Sequence, residues 1–328
     1  MKITIAQRLF PFSHIPGTTG LIPGSEWQIQ IFPTIFRFKS LISGEEKVFP
    51  LDVQGPVLDF TVLLNLEKLW VEISGHTANG YRHYTVSLDD SGIVITFEKK
   101  KELIPVSWKK GGVSKERLSL GVHKQLDWEL VCRRRDLKEI FPVWFRLGQI
   151  TPQTQMTEEG VASLLTECPK LDVAAHFTKI FLAGFKSLLT PRLIDDAYQG
   201  IVSCPTPPKS SPLIVLTEGA RLIRALFFKE ENDLFSFLPT LSPEFHTGRF
   251  VQITTRQGDL ISFEWSKKLL SKVEILPKHT REISLHLQKA LKSFRVKRSP
   301  KDKGKRHLSN LPFFVEEGKT LFLDRFEA

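Results

Sequence analysis

Apolar and polar residues alternate with a period of two through much of the first 150 residues. Trp27, Ile29 and Ile31 alternate with Gln28 and Gln30, the pattern of a strand with one buried face. Pro16-Gly17 and Pro23-Gly24 mark turns before it. Phe60 to Leu66 is apolar on both faces, as a central strand would be, and Val71 and Ile73 follow. Thr77-Ala78-Asn79-Gly80 reads as a turn, and Asp89-Asp90-Ser91-Gly92 sits between Val86/Leu88 and Ile93/Ile95/Phe97 as a hairpin turn. Short strands at this spacing predict an all-β sandwich over 1–152.

Pro152 opens a different region. Thr157 can cap a helix with Glu158 and Glu159 in its first turn, where acids suit the helix dipole, and Val161, Leu164, Leu165 and Cys168 then share a face. Asp172 can cap a second helix whose inward residues are Val173, His176, Phe177, Ile180, Phe181 and Phe185. These define a helical linker over 153–203. A proline-rich linker follows over 204–216, because the four prolines between Cys204 and Pro212 cannot sit in regular structure. Thr217 to Phe228 is helical in pattern, and the apolar run Phe228–Leu238 stops at Pro239. Ile261, Phe263 and Trp265 alternate with Ser262 and Glu264, the pattern repeats at Val273/Ile275 and Ile283/Leu285/Leu287, and Gly258-Asp259 marks a turn. An antiparallel β unit after a helix is expected over 217–328, closing on a final hairpin of Leu311–Val315 with Leu321–Leu323. The fold class is thus mainly β: an N-terminal β-sandwich, a short helical linker and a smaller C-terminal β-sandwich.

Between Thr217 and Leu287 the chain carries, in order, the helical stretch to Phe228, Asn232 to Ser242, Gly248-Arg249-Phe250, Gln257-Gly258-Asp259, Ser262-Phe263-Glu264-Trp265 and Leu270 to Ile275. This order resembles the C-terminal part of family-95 glycoside hydrolases and, more loosely, of their family-65 relatives. There the last helix of a helical barrel hands over to a β-sandwich. The resemblance covers roughly a fifth of the chain, and it implies that the N-terminal sandwich is supersandwich-like. A barrel of six helix pairs needs on the order of 200 residues, whereas Pro152 to the linker leaves room for two or three helices. Family 95 supplies a catalytic carboxylate from an Asp-Gly-Asn stretch ahead of the last barrel helix; Pro207-Pro208-Lys209-Ser210-Ser211-Pro212 stands here instead. Barrel and catalytic carboxylates are expected to be absent, and hydrolysis needs two carboxyl-type partners across the sugar.

Composition adds bounds. A hydrophobic content of 41% in 328 residues is that of a core-forming protein, and 25 Phe against three Tyr predicts aromatic-filled β cores. No apolar run reaches membrane-spanning length, and Met1 to Phe10 reads as a strand rather than a signal peptide. Cys132, Cys168 and Cys204 are odd in number and far apart, which fits thiols in a reducing compartment. The expected location is cytoplasmic, with non-classical secretion left open.

The densest group of functional side chains is His123, Asp127, Trp128, Glu129 and Arg134. Trp128 would offer a stacking face for a sugar while Asp127, Glu129 and Arg134 bond hydroxyls; the same residues also suit a strand edge whose charges pair in solvent. Asp127 and Glu129, two apart, would share a strand face and offer carboxylates for acid–base work. Trp144 reads as core and Arg146 as a surface charge. A hairpin tip explains His76 and His83 as well as a ligand role would, and neither metal spacing nor a cofactor motif is present. The stretch from Lys289 to His307 holds nine Lys/Arg and one Asp, +8 of the net +10. Its Arg295, Lys297, Arg298, Lys301, Lys303, Lys305 and Arg306 are candidates for a polyanion, either nucleic acid or an anionic surface; equally, the segment suits a solvated, flexible loop. Three functions follow in order: a glycosidase-derived carbohydrate-binding or scaffold protein without catalysis, a residual hydrolase around Asp127/Glu129, and polyanion binding through 289–307. No cofactor is expected, and a partner subunit is left open.

Overall fold

The structure, a computed structural model, describes residues 3–5, 9–122, 125–155, 160–166, 172–192, 211–299 and 301–327. The chain is mainly β and divides into two compact units. The smaller comprises Met1–Ala6, Lys115–Val122 and Arg221–Ala328, and the larger comprises Gln7–Ser114 and His123–Ala220. This division departs from the segments read from the sequence. The helices between residues 128 and 184 belong to the larger unit, and the boundary falls inside the helix Ile214–Phe227 rather than in the proline-rich stretch.

Twelve strands come first along the chain: β1 (Phe10–Ser13), β2 (Thr18–Leu21), β3 (Trp27–Phe32), β4 (Ile35–Ser40), β5 (Glu46–Pro50), β6 (Leu58–Asn65), β7 (Trp70–Thr77), β8 (Gly80–Asp89), β9 (Gly92–Phe97), β10 (Lys100–Pro105), β11 (Arg117–Ser119) and β12 (Gln125–Asp127). In the larger unit β10-β9-β8-β7-β6-β1-β12 make one sheet and β2-β3-β4-β5 another. Alternation decides which side of each strand is buried: Trp27, Ile29 and Ile31 are fully buried, while Gln28 and Gln30 are half-buried. The two sheets face each other, with Phe36 of β4 edge-on to Tyr84 of β8 at 5.7 Å and Gly20 of β2 against Leu64 of β6. The turns at 77–80 and 89–92 connect β7 to β8 and β8 to β9 as expected.

The first 150 residues are not all β. Helices α1 (Trp128–Arg134) and α2 (Leu137–Ile150) follow β12. Leu137, Ile140, Phe141, Trp144 and Leu147 recur at helical spacing and are buried, and Asp136 caps α2 by accepting the Lys138 N–H. Trp144 is core as expected. Arg146, read as a surface charge, is only 6% exposed and donates to the Ser114 carbonyl at 2.7 Å. A 3-10 turn (Gly160–Ala162) and α3 (Ser163–Thr166) bury Val161, Leu164 and Leu165; the Thr157 cap, Cys168, Cys204 and the prolines 205–208 lie outside the described residues. Asp172 caps α4 (Val173–Gly184) through the Ala175 N–H. Phe177 of α4 meets Phe141 and Trp144 of α2 at 4.8 and 5.7 Å. The pair β13 (Phe185–Lys186) and β14 (Thr190–Pro191) follows.

Helix α5 (Ile214–Phe227) leads into the smaller unit. That unit adds β15 (Phe228–Glu231), β16 (Leu234–Phe237), β17 (Gly248–Thr254), β18 (Leu260–Ser266), β19 (Leu269–Leu276), β20 (Arg281–His286), β21 (Ser293–Lys297), β22 (Lys305–Leu308), β23 (Phe313–Val315) and β24 (Leu321–Glu327). The sheet β11-β17-β18-β19-β24-β21-β22 faces the sheet β15-β16-β20-β23 across a core of phenylalanines. Phe263 of β18 lies 5.1 Å from Phe237 and 6.5 Å from Phe228, rings of the facing sheet. The antiparallel unit with a turn at 257–259 is as the alternation predicts. The final hairpin is not: β23 pairs with β20, whereas β24 lies between β19 and β21. The chain crosses from one sheet to the other between them, because each strand buries its apolar face by joining a different sheet. The basic stretch, read as a possible flexible loop, is a β21–β22 hairpin.

Candidate ligand-binding cleft

The cluster proposed around residue 127 does not form a sugar platform. Asp127 ends β12, and its carboxylate accepts the Glu129 and Leu130 N–H groups at the start of α1. Two of the orphan donors of that helix are thereby satisfied. Trp128 is 1% exposed and packs edge-on against Phe181 at 6.3 Å, so no ring face is free for a ligand. Glu129 lies on the helix instead of sharing a strand face with Asp127, and its carboxylate accepts from the Ser13 hydroxyl at 3.4 Å. Arg134 forms a two-pronged pair with Glu139, at 2.9 and 2.8 Å. His123 lies outside the described residues. The strand reading failed because an Asp before an amphipathic run is also a helix cap.

A better-formed concavity lies elsewhere in the larger unit, between edge strand β5 and the inner face of β8–β10. The cleft is about 520 Å³, within the usual range for a small ligand. Strand alternation puts Arg82 and Tyr84 on one face of β8. Cross-strand pairing then sets Phe97 of β9 beside Tyr84, and Lys100 of β10 beside Phe97. The Tyr84 and Phe97 rings stack at 4.8 Å, and the Arg82 guanidinium lies 4.9 Å over the Phe97 ring. Such a contact holds a cation in place by the ring's electron-rich face. Opposite, Phe49 of β5 continues the aromatic lining by stacking on Phe36 at 6.5 Å. Asp52 on that side and Glu102 on β10 add acceptors.

The electrostatics of the cleft are balanced. Arg82 and Lys100 face Asp52 and Glu102, with Glu98 3.7 Å from one terminal nitrogen of Arg82. Burial pushes the Tyr84 hydroxyl pKa up; Arg82 works against that rise, and Asp52 and Glu98 add to it. The phenol therefore stays a neutral donor. The Arg82 Nε–H is buried and meets no acceptor, a cost carried inside the fold. Tyr84 is buried, and the Phe97 ring has Tyr84 stacked on it and Arg82 over it, so the cleft offers donors and acceptors beside aromatic edges, which suits the hydroxyls and C–H groups of a polyhydroxylated ring. Sequence reasoning missed these residues because they meet only through strand register and the packing of two sheets.

Four of the polyanion candidates are held in ion pairs. Arg295 is clamped by Asp324 at 2.7 and 2.8 Å, Lys297 lies 3.9 Å from the same carboxylate, Arg298 pairs with Glu316 at 3.6 Å and Arg306 with Glu327 at 3.2 Å. Lys301, Lys303 and Lys305 are exposed. Among the described residues no cluster of His, Cys, Asp and Glu could hold a metal ion, and no helix is long and apolar enough to cross a membrane. Neither the known family models nor the curated proteins give any match to this chain. The likeness to family-95 and family-65 hydrolases therefore rests on the motifs of 217–287 alone.

Proposed function

We propose that this chain is a carbohydrate-binding protein without hydrolytic chemistry, and that the cleft between β5 and β8–β10 holds the sugar. The observation that carries the reading is a cleft of about 520 Å³ in which the Arg82–Phe97–Tyr84 stack stands beside Asp52, Lys100 and Glu102. Aromatic edges give apolar contact to a sugar's C–H groups, and a guanidinium held over Phe97 offers directional donors to its hydroxyls. Near-balanced charge favours a neutral glycan over a strongly ionic one. The pattern likeness of 217–287 to glycosidase sandwiches supports the same ligand class. The Asp127 and Glu129 carboxylates give no support to catalysis, because one is committed to capping a helix.

Glycan-array screening followed by calorimetry on the intact chain tests this. Binding to neutral glycans should change little with salt and fall about tenfold or more in Phe97→Ala, which removes roughly 1.4 kcal/mol or more. Arg82→Gln should weaken it comparably. Undiminished affinity in both variants, or no binding to any neutral glycan, would overturn the proposal.

A further inference from the structure

We infer that the β21–β22 hairpin is a second binding surface, independent of the cleft, that grips the phosphate backbone of a nucleic acid through Lys301, Lys303 and Lys305. Between Ser293 and Leu308 stand seven Lys/Arg: Arg295, Lys297, Arg298, Lys301, Lys303, Lys305 and Arg306. Four carboxylates answer them. Asp324 holds Arg295 and Lys297, Glu316 lies beside Arg298, and Glu327 lies beside Arg306. Asp302 turns inward to accept the backbone N–H groups of Arg298 and Gly304 at 2.9 and 3.0 Å. Glu316 is shared with Lys319, so these carboxylates leave the hairpin at least +3, and the three exposed lysines have no ion-pair partner among the described residues.

The array is held in shape. Asp302 pins the turn, and Gly304 takes a φ of +72° where an added Cβ would come within 2.7 Å of the Val296 carbonyl. Lys305 is fixed opposite Val296 by strand pairing. Lys301 and Lys303 flank Asp302 in the turn and Lys305 opens β22, so the three charges are clustered at one end of the hairpin. β22 is the edge of its sheet, and a polyanion can approach it without displacing protein. A bilayer would call for a two-dimensional patch with apolar side chains among the lysines. Here the residues between the lysines are Asp302 and Gly304, and the only apolar side chain of β22 is Leu308, at its far end, so the lysine cluster suits a phosphate backbone better than a bilayer. No side chain in the cluster is suited to reading bases, so the binding is sequence-independent.

Fluorescence anisotropy with labelled mixed-sequence duplex DNA and the full chain, between about 50 and 200 mM salt, tests this. Three phosphate contacts predict a slope of log affinity against log salt of about −3. The triple variant Lys301→Gln, Lys303→Gln, Lys305→Gln should flatten that slope to near zero. The triple Lys→Arg variant, which keeps the charges, should preserve it. Neutral-glycan binding should be the same in all three proteins, which separates this surface from the cleft. An unchanged slope in the Gln variant, no DNA binding at the lowest salt, or binding to phosphatidylserine vesicles in place of DNA would each overturn the inference.

Discussion

Asp259 and Arg281 form a two-pronged ion pair in which the carboxylate is 1% exposed and the guanidinium side chain 14% exposed. The Lys278 N–H and the Thr255 hydroxyl complete the shell of Asp259. Burial works to raise its pKa, but the Arg281 bonds, the Lys278 N–H and the Thr255 hydroxyl together hold it below the ordinary 3.8. A carboxyl depressed in the folded state adds stability that is complete above its unfolded value and is lost as pH falls through the folded one. Stability should therefore decline below about pH 4 in the parent. Asp259→Asn leaves Arg281 with Asp233, 2.7 Å from its Nε, as its remaining carboxylate partner, so it should cost about 1–3 kcal/mol at neutral pH and reduce that acid-dependent decline. Urea denaturation at several pH values reads both effects; equal stability of the variant at neutral pH would contradict them.

Gly248 pairs directly with Trp265 across β17 and β18, and an added Cβ would come within 2.2 Å of the indole. Trp265 cannot yield easily, since its Nε1 donates to the Phe245 carbonyl at 3.0 Å and its ring stacks on Phe227 at 5.3 Å. Gly248→Ala should destabilise the smaller unit by about 1–3 kcal/mol through overpacking. Lost thermal stability together with altered tryptophan fluorescence is the expected signature, and a variant as stable as the parent would refute the contact.

Cys132 sits half-buried on α1, where burial and the neighbouring Glu129 push its thiol up to about 11 while Arg135 opposes them. At pH 8 only about one molecule in a thousand carries the thiolate. Native protein treated with iodoacetamide at that pH should leave the Cys132 peptide unmodified by mass spectrometry, and denatured protein should label it readily. Rapid native labelling at Cys132 would show that the thiol is activated.

Local pattern was enough where a strand shows one face to water. Trp27/Ile29/Ile31 and Ile261/Phe263/Trp265 reveal their faces by alternation, and Asp172 its helix by capping. It was not enough for α2, where the run Val143-Trp144-Phe145 is apolar on all sides and Pro142 disguises the helical spacing. Nor could it reveal the cleft. Arg82 and Tyr84, Phe97, Lys100 and Phe49 come from four strands in two sheets, and neither register nor sheet partner is a local property. The misplaced final hairpin has the same cause, since a short connection between two apolar strands is compatible with pairing or with crossing between facing sheets.

Asp127 and Trp128 are adjacent in sequence and serve the fold in different ways, so their variants should separate structure from function. Asp127→Ala removes the cap of α1, whose first N–H groups then lose their acceptor, and should cost about 1 kcal/mol. Trp128→Ala empties a buried site beside Phe181 and should cost about 3–5 kcal/mol. Neither side chain lines the cleft of Arg82, Tyr84 and Phe97. Glycan affinity measured well below each variant's unfolding transition should therefore match the parent's, although Trp128→Ala melts much earlier. A specific loss of affinity in Asp127→Ala, with its melting temperature little changed, would return the sugar site to the start of α1. Retained affinity in both, with loss in Phe97→Ala, would fix it between β5 and β8–β10.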